Sequence, residues 1–292
     1  MTRSRAAWWL VSPALVALTV CFVLPVIAAL GLSLTDFDIY GVADRHNVRF
    51  IGLDNYRRLL AAPVFWIALR NTAVFVVAGG PLSIAVSLVT ALLLHARLAR
   101  ARAVFRTALF APVVTTVVAV AVIWRYLFHS RYGMIDHVLG WFGIDPIDWL
   151  GDPRWSMPAL IGFAVWKNFG YNMIILLAGL LGLPEEPYEA ARIDGASRLQ
   201  QLRFLTLPAL APTLLLVTIL TMVGYFQLFA EPYVMTRGGP AQSTTSILYY
   251  MFDEGFQWWN LGFASAVAFV LFAIMLAGTL LQLGLARRWS QL

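Results

Sequence analysis

The chain has 292 residues, of which 60% are hydrophobic and only 12% charged. A soluble domain carries roughly a quarter charged residues, so this chain cannot clothe a water-facing surface and must turn most of its exterior to lipid. Its net charge of +6 does not mark a nucleic-acid binder, because the arginines gather in short segments between apolar runs, as in cytoplasmic loops beside anionic lipid.

Six apolar runs reach the length of about 20 residues that a helix needs to cross the hydrocarbon core. They cover residues 8–34, 66–94, 107–128, 157–183, 207–229 and 262–286. Barrel strands would be about 10 residues long with alternating polarity, a pattern absent here. The expectation is an all-α membrane protein of six transmembrane helices, with 1–292 as a single domain. Arg3 and Arg5 precede the first run in the manner of a signal peptide. That run exceeds the roughly 7–15 residues of a cleaved core, so it is expected to be retained. Cys21 lies within it and reads as a small hydrophobe, with no metal spacing or catalytic partner.

The distribution of Arg sets orientation. With the N-terminus inside, cytoplasmic segments hold Arg3 and Arg5, then Arg97, Arg100, Arg102 and Arg106, then Arg192, Arg198 and Arg203, and finally Arg287 and Arg288. The arginines opposite are diluted by acids. Both termini are therefore placed in the cytoplasm, with Trp66, Trp155, Trp258 and Trp259 near the outer interface as an aromatic belt requires. The outer loops 35–65, 129–156 and 230–261 are long and rich in Pro, Gly and aromatics, and are expected to hold short interfacial helices.

The inner segment 184–206 differs in carrying charges of both signs. Pro184 and Pro187 can start a helix, and acids in its first turn suit the dipole. Asp194-Gly195 is a turn signal, and Ser197 can cap a second helix with Leu199, Leu202 and Leu205 on its apolar face. A helix–turn–helix too polar to span is expected there as a docking element.

The run Glu189-Ala190-Ala191, then Asp194-Gly195-Ala196, then Leu207-Pro208 resembles the EAA loop of permease subunits of binding-protein-dependent ABC importers. Pro187 departs from that pattern, where the family has an aliphatic residue before the Tyr. Thr35-Asp36-Phe37, the run Phe50-Ile51-Gly52-Leu53-Asp54-Asn55-Tyr56, Phe65-Trp66 with Leu69-Arg70-Asn71-Thr72, and Gly238-Gly239-Pro240 with Ser243-Thr244 resemble the carbohydrate-uptake branch, of the maltose and glycerol-3-phosphate type. The resemblance implies a type I ABC importer permease fold in the bacterial inner membrane. Its implied partners are a second, homologous permease, two ATP-binding subunits and an extracytoplasmic solute-binding protein. The EAA residues would dock an ATPase, Glu189 pairing with a basic group and Gly195 permitting the turn.

Lys167 is the only lysine, so no G-x-x-x-x-G-K-[ST] exists and this chain forms no P-loop. ATP and Mg would be held by partner subunits, with no cofactor and no catalytic residue in this chain. An ion-coupled secondary transporter is the competing class. Such carriers place acids near the membrane centre, whereas all fifteen acids here fall in expected loops or at run ends. Asp136-His137 lacks any accompanying nucleophile or metal spacing, which leaves a membrane enzyme unsupported.

Lys167 lies about 15 Å into the fourth run at 1.5 Å per residue, and a charge at that depth points to a solute path. Asn168, Tyr171 and Asn172 follow within about a turn. In the maltose-type relative, solute contacts come from a Trp-x-x-x-x-Tyr stretch, which Trp166 and Tyr171 match, and from the next helix. The resemblance carries the latter over to Thr221, Gly224, Tyr225 and Leu228. Tyr225 and Gln227 are explained nearly as well by helix packing. The resemblance implies a mono- or oligosaccharide as the solute, with glycerol-3-phosphate or another polyol phosphate as the alternative; Lys167 is a pointer toward an anion.

Overall fold

The computed structural model describes residues 3–95 and 102–289. Regular structure there is helical, apart from one β-bridge between Thr35 and Phe50. The helices that position the site are α1 (Leu10–Ser33), α2 (Pro63–His95), α3 (Ala103–Val114), α4 (Val117–Leu127), α5 (Pro153–Leu181), α6 (Glu186–Ile193), α7 (Arg198–Gln201), α8 (Ala211–Phe226), α9 (Ala230–Met235) and α10 (Leu261–Trp289). Short helices also occupy the expected outer loops, at Ile39–Ala43, Asp54–Ala61, Met134–Gly140 and Ile247–Phe252. Of the arginines used for orientation, Arg97 and Arg100 lie outside the described residues, as do the side chains of Arg3, Arg5, Arg102, Arg287 and Arg288.

Five stretches are long and apolar enough to cross a membrane: α1, α2, α5, Ala211–Met235 and Leu261–Ala286. The run 107–128 is not the single straight helix expected, because α3 and α4 meet at 98°. Pro112 withholds an N–H from the ladder. Thr115 then returns its hydroxyl (2.6 Å) and its amide (3.3 Å) to the Pro112 carbonyl, and Thr116 is extended at φ −70°, ψ 133°. A sixth crossing exists only if this bent pair counts as one span. The fourth run begins earlier than residue 157, since Asp152 caps Arg154 N at 2.8 Å and Pro153 takes the first turn. The fifth starts at Ala211 rather than 207, after a π-helical stretch at Leu202–Thr206, and reaches Met235.

The chain divides into two compact units, one up to Trp66 with Tyr250–Ile274, the other Ile67–Tyr249 with Met275 onward. In the first unit the Asn-Tyr motif seals the end of α1. Buried Asn55 donates to the carbonyls of Ser33 (2.9 Å) and Thr35 (2.8 Å), while the Tyr56 hydroxyl meets that of Ser33 at 2.8 Å. These bonds occupy carbonyls that a helix end leaves without intrahelical partners. Asp36 accepts from the Arg49 amide and from its guanidinium Nε (2.9 Å), and the backbone bond above all holds its carboxyl below the usual carboxylate range.

In the second unit α5 is the hub. It is the most enclosed of the candidate spans, whereas the apolar window of α1 has no part buried within the chain. Its chief neighbour is α2. Ala91 and Leu94 of α2 pack with Met173, Leu176 and Leu180 of α5 and with Leu210 and Val217, and Ser87 Oγ donates to the Phe169 carbonyl at 2.9 Å. Small residues let the backbones close up: a Cβ on Gly170 would collide with the Leu109 carbonyl oxygen of α3. The motifs 69–72 and 238–244 prove to be one assembly. Asn71 donates to the carbonyls of Gln242 (2.7 Å) and Thr245 (3.0 Å), and the Thr72 hydroxyl accepts from Ile247 N (3.0 Å).

Two outcomes test this packing. Gly170→Ala should cost about 1–3 kcal/mol through overpacking, seen as a lower melting temperature in detergent; an unchanged value would mean that α3 and α5 do not approach so closely. The Asp36 link is fully present above the ordinary carboxylate range and is lost as pH falls through its lowered pKa. Hydrogen-exchange protection at the Arg49 amide should collapse on that acid limb alone, and Asp36→Asn should abolish it at neutral pH; protection indifferent to both would refute the link.

Candidate functional site

A cavity of about 550 Å³ opens between α5, the α3–α4 break and the α8–α9 segment. Lys167, Asn168, Tyr171 and Asn172 line it from α5, and Thr221, Gly224 and Tyr225 from α8. Seven of the eight residues expected on the solute path are thus brought together. Leu228 is not among the lining residues: it is 2% exposed in the core, and its carbonyl accepts from Ser246 Oγ. Trp166 also lies elsewhere, packed 5.1 Å from Trp124.

Lys167 sits at the midpoint of α5, a helix of 29 residues, and is 7% exposed. Its Nζ donates to the Val113 carbonyl at 3.1 Å. That carbonyl belongs to the last turn of α3, where the chain turns away and leaves it without a partner along the helix. A cation is the donor best suited to a helix C-terminus. Asn172 Nδ2 donates to Thr221 Oγ1 at 2.9 Å, joining α5 to α8. Asn168 bonds back to Ala164 O at 2.9 Å. Tyr225 packs 5.0 Å from Phe75, and a Cβ on Gly79 would come within 2.7 Å of its ring. Gly79 ends a π-helical stretch, Phe75–Gly79, so the second helix is both widened and bare where the tyrosine seats.

Glu231 is the residue that sequence reasoning missed. Its position falls in the expected outer loop 230–261, yet it stands in the first turn of α9 and lines the same cavity as Lys167. α9 packs on α4, which draws the acid inward. The available signal was Phe229-Ala230-Glu231-Pro232, an acid and a helix-starting proline directly after the fifth run.

The segment 184–206 forms the expected hairpin of helices. α6 has Pro187 in its first turn. It closes with Ala196 N bonded to Ala191 O (2.9 Å) and Gly195 N to Arg192 O (3.2 Å), a Schellman pair with Gly195 at φ +78°. Ser197 and Gln200 complete a reciprocal capping box at the start of α7. The Tyr188 hydroxyl donates to Thr206 Oγ1 at 3.1 Å and ties the two arms. Glu189, Ala190, Asp194 and Gly195 are exposed, Ala191, Ala196 and Leu207 half-buried, and Pro208 exposed. Leu202 and Leu205 are half-buried as expected of an inward face, but Leu199 is 74% exposed, alongside Ile193 at 86% and Phe204 at 66%. An apolar surface on a charged hairpin is the mark of a contact site.

A family model described as "Binding-protein-dependent transport system inner membrane component" matches residues 83–291. The chain belongs to that family. Among its curated relatives, the lactose transport system permease protein LacF of Rhizobium radiobacter is 35% identical over 285 residues, 96% of this chain and 93% of that one. The trehalose/maltose transport system permease protein MalF of Thermococcus litoralis is 32% identical over 288 residues, 98% and 95% respectively. A solved bacterial ABC transporter that imports the acidic polysaccharide alginate contains a chain of the same fold, with a TM-score of 0.81 at 22% identity over 98% of this chain and 96% of that one. The permease is thus a multi-pass membrane protein, a transport component rather than an enzyme.

Within this permease the Asn172–Thr221 bond is a direct polar link on the cavity wall between α5 and α8. Thr221→Val should weaken the fold by about 0.6–1.7 kcal/mol in graded detergent unfolding, with Thr221→Ser close to wild type; equal stability of all three would remove the link from the account.

Proposed function

We propose that the permease carries a mono- or oligosaccharide inward, as one subunit of an ATP-driven importer. The observation that supports this best is the pairing of two features in one family member. One is a cavity lined by hydroxyl-, amide- and aromatic-bearing side chains at mid-helix; the other is an exposed hairpin bearing the EAA run. The relatives named for lactose and for trehalose and maltose support the sugar class. On this reading 1–292 acts as a single permease domain in the bacterial inner membrane, with six crossings and both termini in the cytoplasm. It pairs with a second, homologous permease. Two ATP-binding subunits supply ATP and Mg, and an extracytoplasmic binding protein delivers solute; a solved alginate transporter was captured with its periplasmic protein.

The hairpin would sit in a cleft of one ATPase subunit. Its Schellman turn and capping box make it a stiff element, so displacement of the ATPase passes to α5 and α8, the helices that flank it and line the cavity. Rigid-body rocking of this kind alternates access to a central site. Glu231 is the one observation that would suit an ion-coupled carrier, since such machines keep acids in the membrane. Membership of a binding-protein-dependent family weighs against it.

The test is ATPase activity of the co-purified complex in lipid nanodiscs, with the binding protein and a panel of sugars and polyol phosphates. Stimulation by a sugar is expected. Absence of any associated ATPase, with flux driven by a pH gradient, would overturn the reading. Gly195 tests the hairpin separately: open space surrounds its Cβ position, so only backbone strain at positive φ opposes a side chain. Gly195→Asp should lower ATPase co-purification and uptake about tenfold or more, the equivalent of 1.4 kcal/mol. Intact coupling in that variant would remove the docking role.

A further inference from the structure

Two charged residues line the cavity, and they have opposite signs: Lys167 and Glu231. The relatives leave the charge of the solute open, since one is named for lactose and a protein of the same fold imports an acidic polysaccharide. Lys167 taken alone points to an anion. The structure alters that reading in two ways.

The ammonium is already engaged, because it completes the broken end of α3 at Val113 O. One of its three donors is committed and its position is fixed by the backbone. It also faces a carboxylate. Lys167 and Glu231 form no close ion pair with one another, unlike Arg49 with Asp36 and Arg57 with Asp54. Both side chains instead border the same cavity. With both groups ionised, the space between them has a donor pole and an acceptor pole and no net charge.

We propose that this opposed pair selects uncharged polyhydroxylated solutes and rejects sugars bearing a carboxylate, sulfonate or phosphate. The proposal rests on the cavity being the solute path. A sugar hydroxyl is both donor and acceptor, so it can accept from Lys167 while it or its neighbour donates to Glu231. An anion would gain Lys167 but stand against Glu231 in a partly enclosed site where water screens the repulsion less than in bulk. It would also shed its hydration without a second cation to replace it. A cation meets the mirror-image penalty at Lys167. The rest of the wall is neutral: Asn168, Asn172, Thr221 and Gln227 offer hydrogen bonds, and Tyr171 and Phe229 offer apolar ring faces. A first-turn acid suits the dipole of α9 wherever it points, but that does not account for its facing a cavity with the chain's only lysine.

The experiment uses the complete complex in nanodiscs, with solute binding followed by tryptophan fluorescence at low ionic strength. The probes are galactose with galacturonate and glucose with glucuronate, pairs that differ in the charge at one carbon. Wild type should bind the neutral member about tenfold more tightly. Glu231→Gln, which leaves Lys167 unopposed, should erase or reverse that preference, while Glu231→Asp should keep it. Lys167→Met with Glu231→Gln should leave the preference small and insensitive to salt. Wild type that binds uronates as well as neutral sugars overturns the proposal without recourse to any variant. So does an unaltered ratio in a folded Glu231→Gln complex. If sugars stimulate the ATPase but the ratios fail, the selectivity is wrong and the sugar path survives. If no sugar binds and none stimulates, the path falls and the selectivity with it.

Discussion

A carbonyl released from its helix inside an apolar layer has no water to turn to, and each such group left bare costs several kcal/mol. The break between α3 and α4 creates this problem at Val113, and Lys167 answers it from the midpoint of α5. Much of the second unit follows from that bond. It needs α5 held at a fixed depth, which the core with α2 and the Ser87–Phe169 bond provide. It needs α3 and α5 close together, which Gly170 permits. Once the chain turns at Thr115 and Thr116, Val113 and Val117 lie on either side of the bend and both line the cavity. The space exists because the helix is broken, and the break is tolerable because a lysine completes it.

The same accounting of polar groups explains the short motifs that composition alone leaves unexplained. Asn55 is buried because the end of α1 offers carbonyls at Ser33 and Thr35 and an amide can satisfy both. Asn71 and Thr72 bind three backbone groups of the segment 242–247, whose own hydroxyls fold inward, Thr244 onto Gly239 O and Thr245 onto Gly238 O. Stretches 170 residues apart in sequence were legible as motifs, but their pairing was not, because nothing local announces a tertiary hydrogen bond. The hairpin follows the opposite rule, with polar groups satisfied within it and apolar side chains left outside.

How far the sequence could be read depended on whether the deciding forces were local. Apolar run length located the spans because the bilayer fixes that length physically. Pro187, Asp194-Gly195 and Ser197 located the hairpin because caps and turns act within a few residues. The bend at 115–116 leaves no mark in the hydropathy: Val-Val-Thr-Thr-Val-Val remains apolar on both sides, and hydropathy has no sense of direction. Glu231 was missed for a related reason. The apolar run stops at Phe229, yet helix resumes at Ala230 and packs on α4, so an acid beyond the apparent end belongs to the interior. Leu228 is the converse case, since counting along the chain gives its position but not that it lies past the end of α8 with its side chain in the core.

The exposed side chains of the hairpin carry a consequence for how such a chain must be made. Ile193, Leu199 and Phe204 stand out from charged helices on a segment that is itself well ordered by its caps. Such a surface is harmless only while something covers it; uncovered, it invites aggregation and recognition by quality-control proteases. A subunit built this way is a poor orphan. Its synthesis has to be matched in amount and in time to that of whatever covers the hairpin, so the stoichiometry of the assembly is enforced by the surface chemistry of one short connection.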